Sequence, residues 1–152
     1  MITSVSTPEE TLQQVTERVW ETIPPLWNQM RDNVRAIASE SFGISVPEFR
    51  VLRHIRRGVR SVCDLALASQ TSRPAISQCV DALVEKGLVI RCPSTRDRRR
   101  VELALTPSGN EMLDAIFREN HRWMGEKLAS LSPEEMDRVL QGLRVLASAF
   151  GG

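Results

Sequence analysis

The stretch from Ser61 to Thr106 leaves this chain few folds to choose from. Leu65 and Ala66 mark a short helix, and Ser69-Gln70-Thr71 follows as a polar turn. A second helix begins near Ser72 and places Ile76, Cys79, Val80 and Leu83 at spacings of three and four, one apolar face of a 3.6-residue period. Gly87 stops it as a C-terminal cap would. Leu88-Val89-Ile90 then reads as a β-run, and Val101 to Leu105 alternates apolar with other residues, as a half-buried strand does. Between the two strands lies Cys92 to Arg100. Helix, turn, helix and a two-stranded hairpin make a winged helix.

Charge is divided unevenly along the 152 residues, which the net value of +1 conceals. Met1 to Glu48 holds three basic against seven acidic residues, Phe49 to Thr106 twelve against five, and Pro107 to Gly152 five against seven. A basic middle between acidic flanks points to one face meeting a polyanion. Nearly all of that basic charge is arginine, whose planar fork suits phosphate.

No run of about 18 apolar residues occurs, so no membrane span is expected. The first residues lack a charged-then-apolar leader pattern, and a cytoplasmic location is expected. Cys63, Cys79 and Cys92 are an odd number without metal-ligand spacing, and His54 and His121 add no cluster. No Ser/His/Asp set and no phosphate-cradling glycine loop is visible either. Neither catalysis, metal nor cofactor is expected.

Thr7-Pro8-Glu9-Glu10 is a helix start, with Thr7 as cap, Pro8 in the first turn and Glu10 three residues after the cap. Trp20, Ile23, Trp27, Met30, Val34 and Ile37 then recur at gaps of three and four, a rhythm that suits a helix–helix seam. Pro24-Pro25 should break or kink this helix into about Pro8 to Thr22 and Pro25 to Ser41. Ser45-Val46-Pro47-Glu48 starts another helix, with Phe49, Leu52 and Ile55 inward and Arg50, Arg53, Arg56 and Arg57 around the other side. Thr106-Pro107-Ser108-Gly109 opens a helix to about Ala129, and Ser132-Pro133-Glu134-Glu135 opens the last one. The expected organisation is an N-terminal dimerisation helix over 1–44, a winged helix-turn-helix unit over 45–106 and C-terminal dimerisation helices over 107–152, in a single compact chain. The fold class is mainly α with a small β-wing.

With Ile76, Cys79, Val80 and Leu83 inward, Ser72, Arg73, Pro74, Ser77 and Gln78 fall on or beside the outer face of the second helix. Recognition helices present such N-terminal residues to the major groove. Arg73 could donate a bidentate pair to guanine and Gln78 could pair with adenine. Ser72 and Ser77 suit phosphate. The turn reads Arg91-Cys92-Pro93-Ser94-Thr95-Arg96-Asp97-Arg98-Arg99-Arg100, five arginines and one aspartate. So many like charges on a tight hairpin repel one another, and a narrow minor groove supplies the missing negative potential. Asp97 can orient Arg99, assigned to that groove, leaving Arg96, Arg98 and Arg100 for phosphates or the rim. Arg57 and Arg60 are candidate phosphate contacts.

These residues carry a resemblance. Asp97-Arg98-Arg99, five further residues and Leu105-Thr106 are similar to the D-x-R-x(5)-L-T signature of the MarR family of bacterial transcription regulators. Leu65-Ala66, Ser72, Ile76, Val80, Leu83, Gly87-Leu88-Val89, Arg91, Pro93 and Gly109 resemble that family in order and spacing. Gln70 stands where a glycine is common, Ser69 and Thr71 replace apolar residues, and Ser94 replaces a common aspartate. The resemblance implies a homodimer that binds a pseudo-palindromic operator in double-stranded DNA, most simply as a repressor. It also implies a small effector, often an anionic phenolic compound, seated where the dimer helices meet the winged helix. Trp27, Arg31, Phe49 and Met112 are the candidate lining residues. Oxidant-sensing members use a cysteine in the first helix with nearby tyrosines; this chain has no cysteine before Cys63 and no tyrosine. A winged helix used for protein–protein contact is the alternative, and a steep salt dependence of duplex binding separates the two.

Overall fold

The structure, a computed structural model, describes residues 7–94 and 101–151. Its elements run α1 (Pro8–Phe42), α2 (Val46–Arg56), α3 (Val62–Ser69), α4 (Arg73–Glu85), β1 (Val89–Pro93), β2 (Val101–Leu105), α5 (Pro107–Leu128) and α6 (Pro133–Ala149). The chain divides into two compact units, one ending at Asn120 and the other starting at His121, so the boundary falls within α5.

Local chemistry explains the helix ends. Thr7, Ser45 and Ser132 each accept the amide of the residue three positions on, and Glu10, Glu48 and Glu135 each accept the cap's own amide in return. Ser61 and Ser72 cap α3 and α4 by hydroxyl alone. One expectation fails. α1 is continuous through Pro24 and Pro25 rather than divided there. Proline's fixed φ is helical, and what the pair removes is two hydrogen bonds, to the carbonyls of Trp20 and Glu21. Both of those residues are exposed, so water can take the place of the lost donors. The capping box at one end and the left-handed Gly43 cap at the other hold the remaining turns.

The core gathers residues from every element of the first unit. Leu52, Leu65, Val80, Leu83, Leu113 and Ile116 are fully buried, with Phe49 and Ile55 beside them. β1 and β2 pair antiparallel with Val89 opposite Leu105 and Pro93 opposite Val101. The Leu103 amide also donates to the Arg60 carbonyl at 2.8 Å, tying the segment before α3 onto the ribbon. Thr106 joins ribbon to α5: its hydroxyl donates to the Gly87 carbonyl at 2.7 Å and accepts the Gly109 amide at 3.0 Å. Gly109 packs so closely on the Leu88 carbonyl that a Cβ there would collide with backbone. In the turn, Gln70 adopts φ 51°, the left-handed conformation that explains why glycine is favoured at such a position.

Candidate nucleic-acid interface and effector cavity

α4 turns its apolar stripe inward, with Ile76, Val80 and Leu83 buried. Ser72, Arg73, Pro74 and Gln78 are exposed, and Ser77 is half-buried. The Ser72 hydroxyl accepts the Ala75 amide at 3.4 Å, which leaves its own proton available to donate. Asp81, also on the exposed side of α4, accepts a 2.6 Å hydrogen bond from Arg91 of β1. This ion pair fixes the ribbon's base to the helix beside it. The sequence reading did not single it out.

The ribbon base is further braced by Glu102. It accepts from the buried Ser94 hydroxyl and pairs with Arg60 at 3.3 Å. Arg60 is therefore placed on the ribbon flank with its charge shared. Cys92 is half-buried, its thiol 3.5 Å from the Glu102 carbonyl. The wing candidates Arg96, Asp97, Arg98, Arg99 and Arg100 lie outside the described residues.

The second candidate region is a cavity of about 220 Å³ between α1, α2 and α5. Trp27, Arg31 and Phe49 line it, as expected. Met112 does not; it packs, partly buried, against the core. Arg57, a candidate phosphate contact, also lines the cavity. Residues not anticipated are Arg35, Arg50, Arg53, His54 and Phe117. The signal was present in the spacing 50, 53, 57, which forms one stripe along α2, but its convergence with α1 and α5 was not.

The walls combine aromatic surface with cationic charge. Phe49 and Phe117 meet at a 6.2 Å centroid distance, tilted, and the Arg53 guanidinium lies 5.7 Å from the Phe49 centroid. Arg31 and Arg35 both approach Asp32, at 3.6 and 3.4 Å. Burial lowers the His54 pKa, and the charges of Arg57, Arg53 and Arg50 lower it further. Beyond burial, the three guanidiniums of Arg50, Arg53 and Arg57 oppose a charge on this imidazole, so the α2 wall of the cavity carries excess positive charge. Aromatic walls with convergent cations are what an aromatic anion requires.

Behind α2 a half-buried ion pair, its carboxylate buried and its ammonium open to solvent, sets the helix's position against α4. Lys86 donates to Glu48 at 2.8 Å and to the Gly43 carbonyl at 3.0 Å. Burial alone would raise the Glu48 carboxyl, yet bonds from Lys86 and Ser45 together hold it below its ordinary value. No helix among the described residues is long and apolar enough to cross a membrane. Among them there is also no cluster of His, Cys, Asp and Glu able to hold a metal ion.

A capped helix with an exposed polar face, seated beside an antiparallel ribbon and backed by two supporting helices, defines the winged helix-turn-helix class. Comparison with known proteins places it within that class. A family model described as the MarR family matches residues 42–100. An uncharacterised helix-turn-helix transcriptional regulator of Bacillus subtilis, YfiV, is 31% identical over 108 residues, covering 70% of this chain and 68% of the relative. The transcriptional regulator Tm0710 of Thermotoga maritima superposes with a TM-score of 0.80 at 20% identity, over 91% of this chain and 95% of that one. A mutant of Staphylococcus aureus MepR bound to an oligodeoxyribonucleotide superposes with a TM-score of 0.67 at 21% identity, over 84% and 94%. The chain belongs to the MarR family of DNA-binding transcription regulators, which are not enzymes.

Proposed function

We propose that this regulator is a repressor that binds a pseudo-palindromic operator as a homodimer and is released by a small aromatic anion. The observation that carries the reading is the exposed polar face of α4 beside the ribbon, in a chain whose sequence between the two strands holds Arg96, Arg98, Arg99 and Arg100. Ser72, Arg73, Pro74, Ser77 and Gln78 would face the major groove, and Arg99, oriented by Asp97, the minor groove. A relative of the same fold is known bound to an oligodeoxyribonucleotide, which supports duplex DNA as the partner. In a dimer, two such helices would enter successive grooves about 34–36 Å apart and cover enough promoter to exclude polymerase.

Residues 1–44 and 107–152 supply the dimer helices in this reading, and 45–106 the DNA-binding unit. Uncovered apolar side chains support the pairing: Trp20 is 78% exposed on α1, and Leu143 is 54% exposed on α6. The cavity holding Trp27, Arg31 and Phe49 is the effector site, and its five arginines set the charge of the ligand.

Selection of duplexes from a random pool, followed by sequencing, tests the operator claim. Enrichment of an inverted repeat with half-sites one turn apart is the expected result, and loss of enrichment with Arg99→Ala in a protein that still dimerises is its companion. Binding that ignores sequence and is unchanged in the variant refutes the reading. Affinity should fall steeply with salt, as phosphate contacts release counterions.

A further inference from the structure

Two concavities flank the N-terminal half of α2 and share part of their walls. One is the effector cavity. The other is a groove of about 460 Å³ between α2, the α3–α4 turn and α4, lined among others by Ser45, Thr71, Ala75 and Gln78. Only Val46 and Arg50 line both. Val46 is an inert wall. Arg50 is the one cation among the groove's described lining residues, and its side chain makes no hydrogen bond or ion pair among them. It is exposed. In the cavity it is one of five arginines.

The surroundings differ in what they ask of that guanidinium. The groove's rim carries Gln78 and Thr71, at the edge of the α4 face that would lie on a duplex. A phosphate passing there would meet Arg50 as the one lining cation, while the groove's carboxylate, Glu48, is buried and neutralised by Lys86 at 2.8 Å. The cavity places the same residue among Arg31, Arg53 and Arg57, so while empty it repels Arg50 and favours the groove. An aromatic carboxylate in the cavity reverses that preference, because it accepts bidentate hydrogen bonds from an arginine fork and cancels the repulsion.

Resting on the effector-released repressor reading, we propose that Arg50 is a ligand common to both sites. With the cavity empty it clamps a backbone phosphate beside α4; with an aromatic carboxylate bound it turns inward, and each protomer loses one cation from its DNA face. The two ligands then compete for a single side chain through two rotameric states of α2's surface, without any domain having to move. Coupling of this kind is reciprocal: duplex weakens the anion by the same factor that the anion weakens duplex.

The test uses the full chain, a fluorescent mixed-sequence duplex and 2-hydroxybenzoate at constant ionic strength. In wild type, saturating anion should weaken duplex binding by about five-fold per protomer, the scale of one charge-assisted contact. The slope of log affinity against log salt should become shallower by about 0.9 for each arginine withdrawn. Arg50→Gln should show the shallower slope from the outset and no further loss with anion. Arg53→Gln, whose residue lines only the cavity, should weaken the quenching of tryptophan fluorescence by the anion. Circular dichroism should report both variants folded. An Arg50→Gln protein with wild-type slope and wild-type response to the anion overturns the proposal, as does the absence of any quenching in wild type. Wild type that binds duplex and takes up anion without losing affinity overturns it too, yet spares the DNA-binding reading. Wild type without salt-sensitive duplex binding removes both.

Discussion

The winged-helix region and the outer length of α1 are built to opposite standards. Around α2, α3, α4 and the ribbon a continuous set of large apolar side chains is covered, with Leu52, Leu65, Val80 and Leu83 lacking accessible surface, although Leu67, Ile90 and Val101 stay exposed. Along the first half of α1, Leu12, Val15, Trp20, Ile23, Leu26 and Trp27 all stand open. Yet α1 does not change character at random. Its stripe continues from the bare tryptophans into Met30, half-buried, and then into Val34 and Ala38, buried in the core. One helix therefore packs into the winged-helix core at its C-terminal end and carries an uncovered apolar stripe at its N-terminal end. A face of that size left to water is costly, at about 25 cal/mol for each Å² of apolar surface. The lesson is that the winged-helix core closes within the chain, whereas the apolar stripe on the first half of α1 is left uncovered by it.

That contrast can be broken by substitution. The largest effect belongs to the core: Leu83→Ala should cost about 3–4 kcal/mol in urea unfolding, because the cavity it leaves adds to the lost transfer energy. Gly109→Ala should come next, about 2–3 kcal/mol, since its methyl group meets the Leu88 carbonyl backbone, which has no side-chain freedom to yield. Glu48→Gln should cost about 1–2 kcal/mol, because Lys86 keeps its bond to Gly43 and is partly solvated. Trp20→Ala should barely alter the core's unfolding at high dilution, yet shift sedimentation toward the monomer; an unchanged dimer would mean the open stripe is not the seam.

The smallest effect is electrostatic. The folded-state pKa of His54 lies below its ordinary value, so the unfolded chain takes up its proton first as the solution is acidified. His54 therefore costs nothing above pH about 6.5, and stability falls as pH drops below that toward the depressed folded value. Thermal melts between pH 7.5 and 5.5 should show this loss, and His54→Gln should flatten it. Saturating the cavity with an aromatic anion should also flatten it, because the anion offsets the arginine charges that disfavour the imidazolium.

How much of this was legible depended on whether the cause was local. The α4 stripe, the capped starts at Thr7 and Ser132 and the antiparallel ribbon follow from residues within a few positions of one another, and sequence spacing reveals them. It leaves the α2 cap open between Ser45 and Val46, which the structure assigns to Ser45. Pro24-Pro25 misled because the rule that prolines end helices weighs only the missing donors, whereas the turns on each side are held by caps more than ten residues away. The cavity was half legible. Trp27, Arg31 and Phe49 could be named, but Phe117 arrives from α5 and Met112 points elsewhere on the same helix, a rotation no spacing in α2 could fix. The Arg91–Asp81 pair escaped for the same reason, since it joins a helix to a strand across a turn.

The uninterrupted α1 has a mechanical consequence. Thirty-five residues make a rod of about 52 Å, with two adjacent rungs missing near its middle. Bending there strains fewer bonds than bending anywhere else along the shaft. A shift imposed on the tryptophan end would thus concentrate at the proline pair and reach α2 attenuated, so the stiffness of that short segment sets how far the two ends of the rod can act on each other.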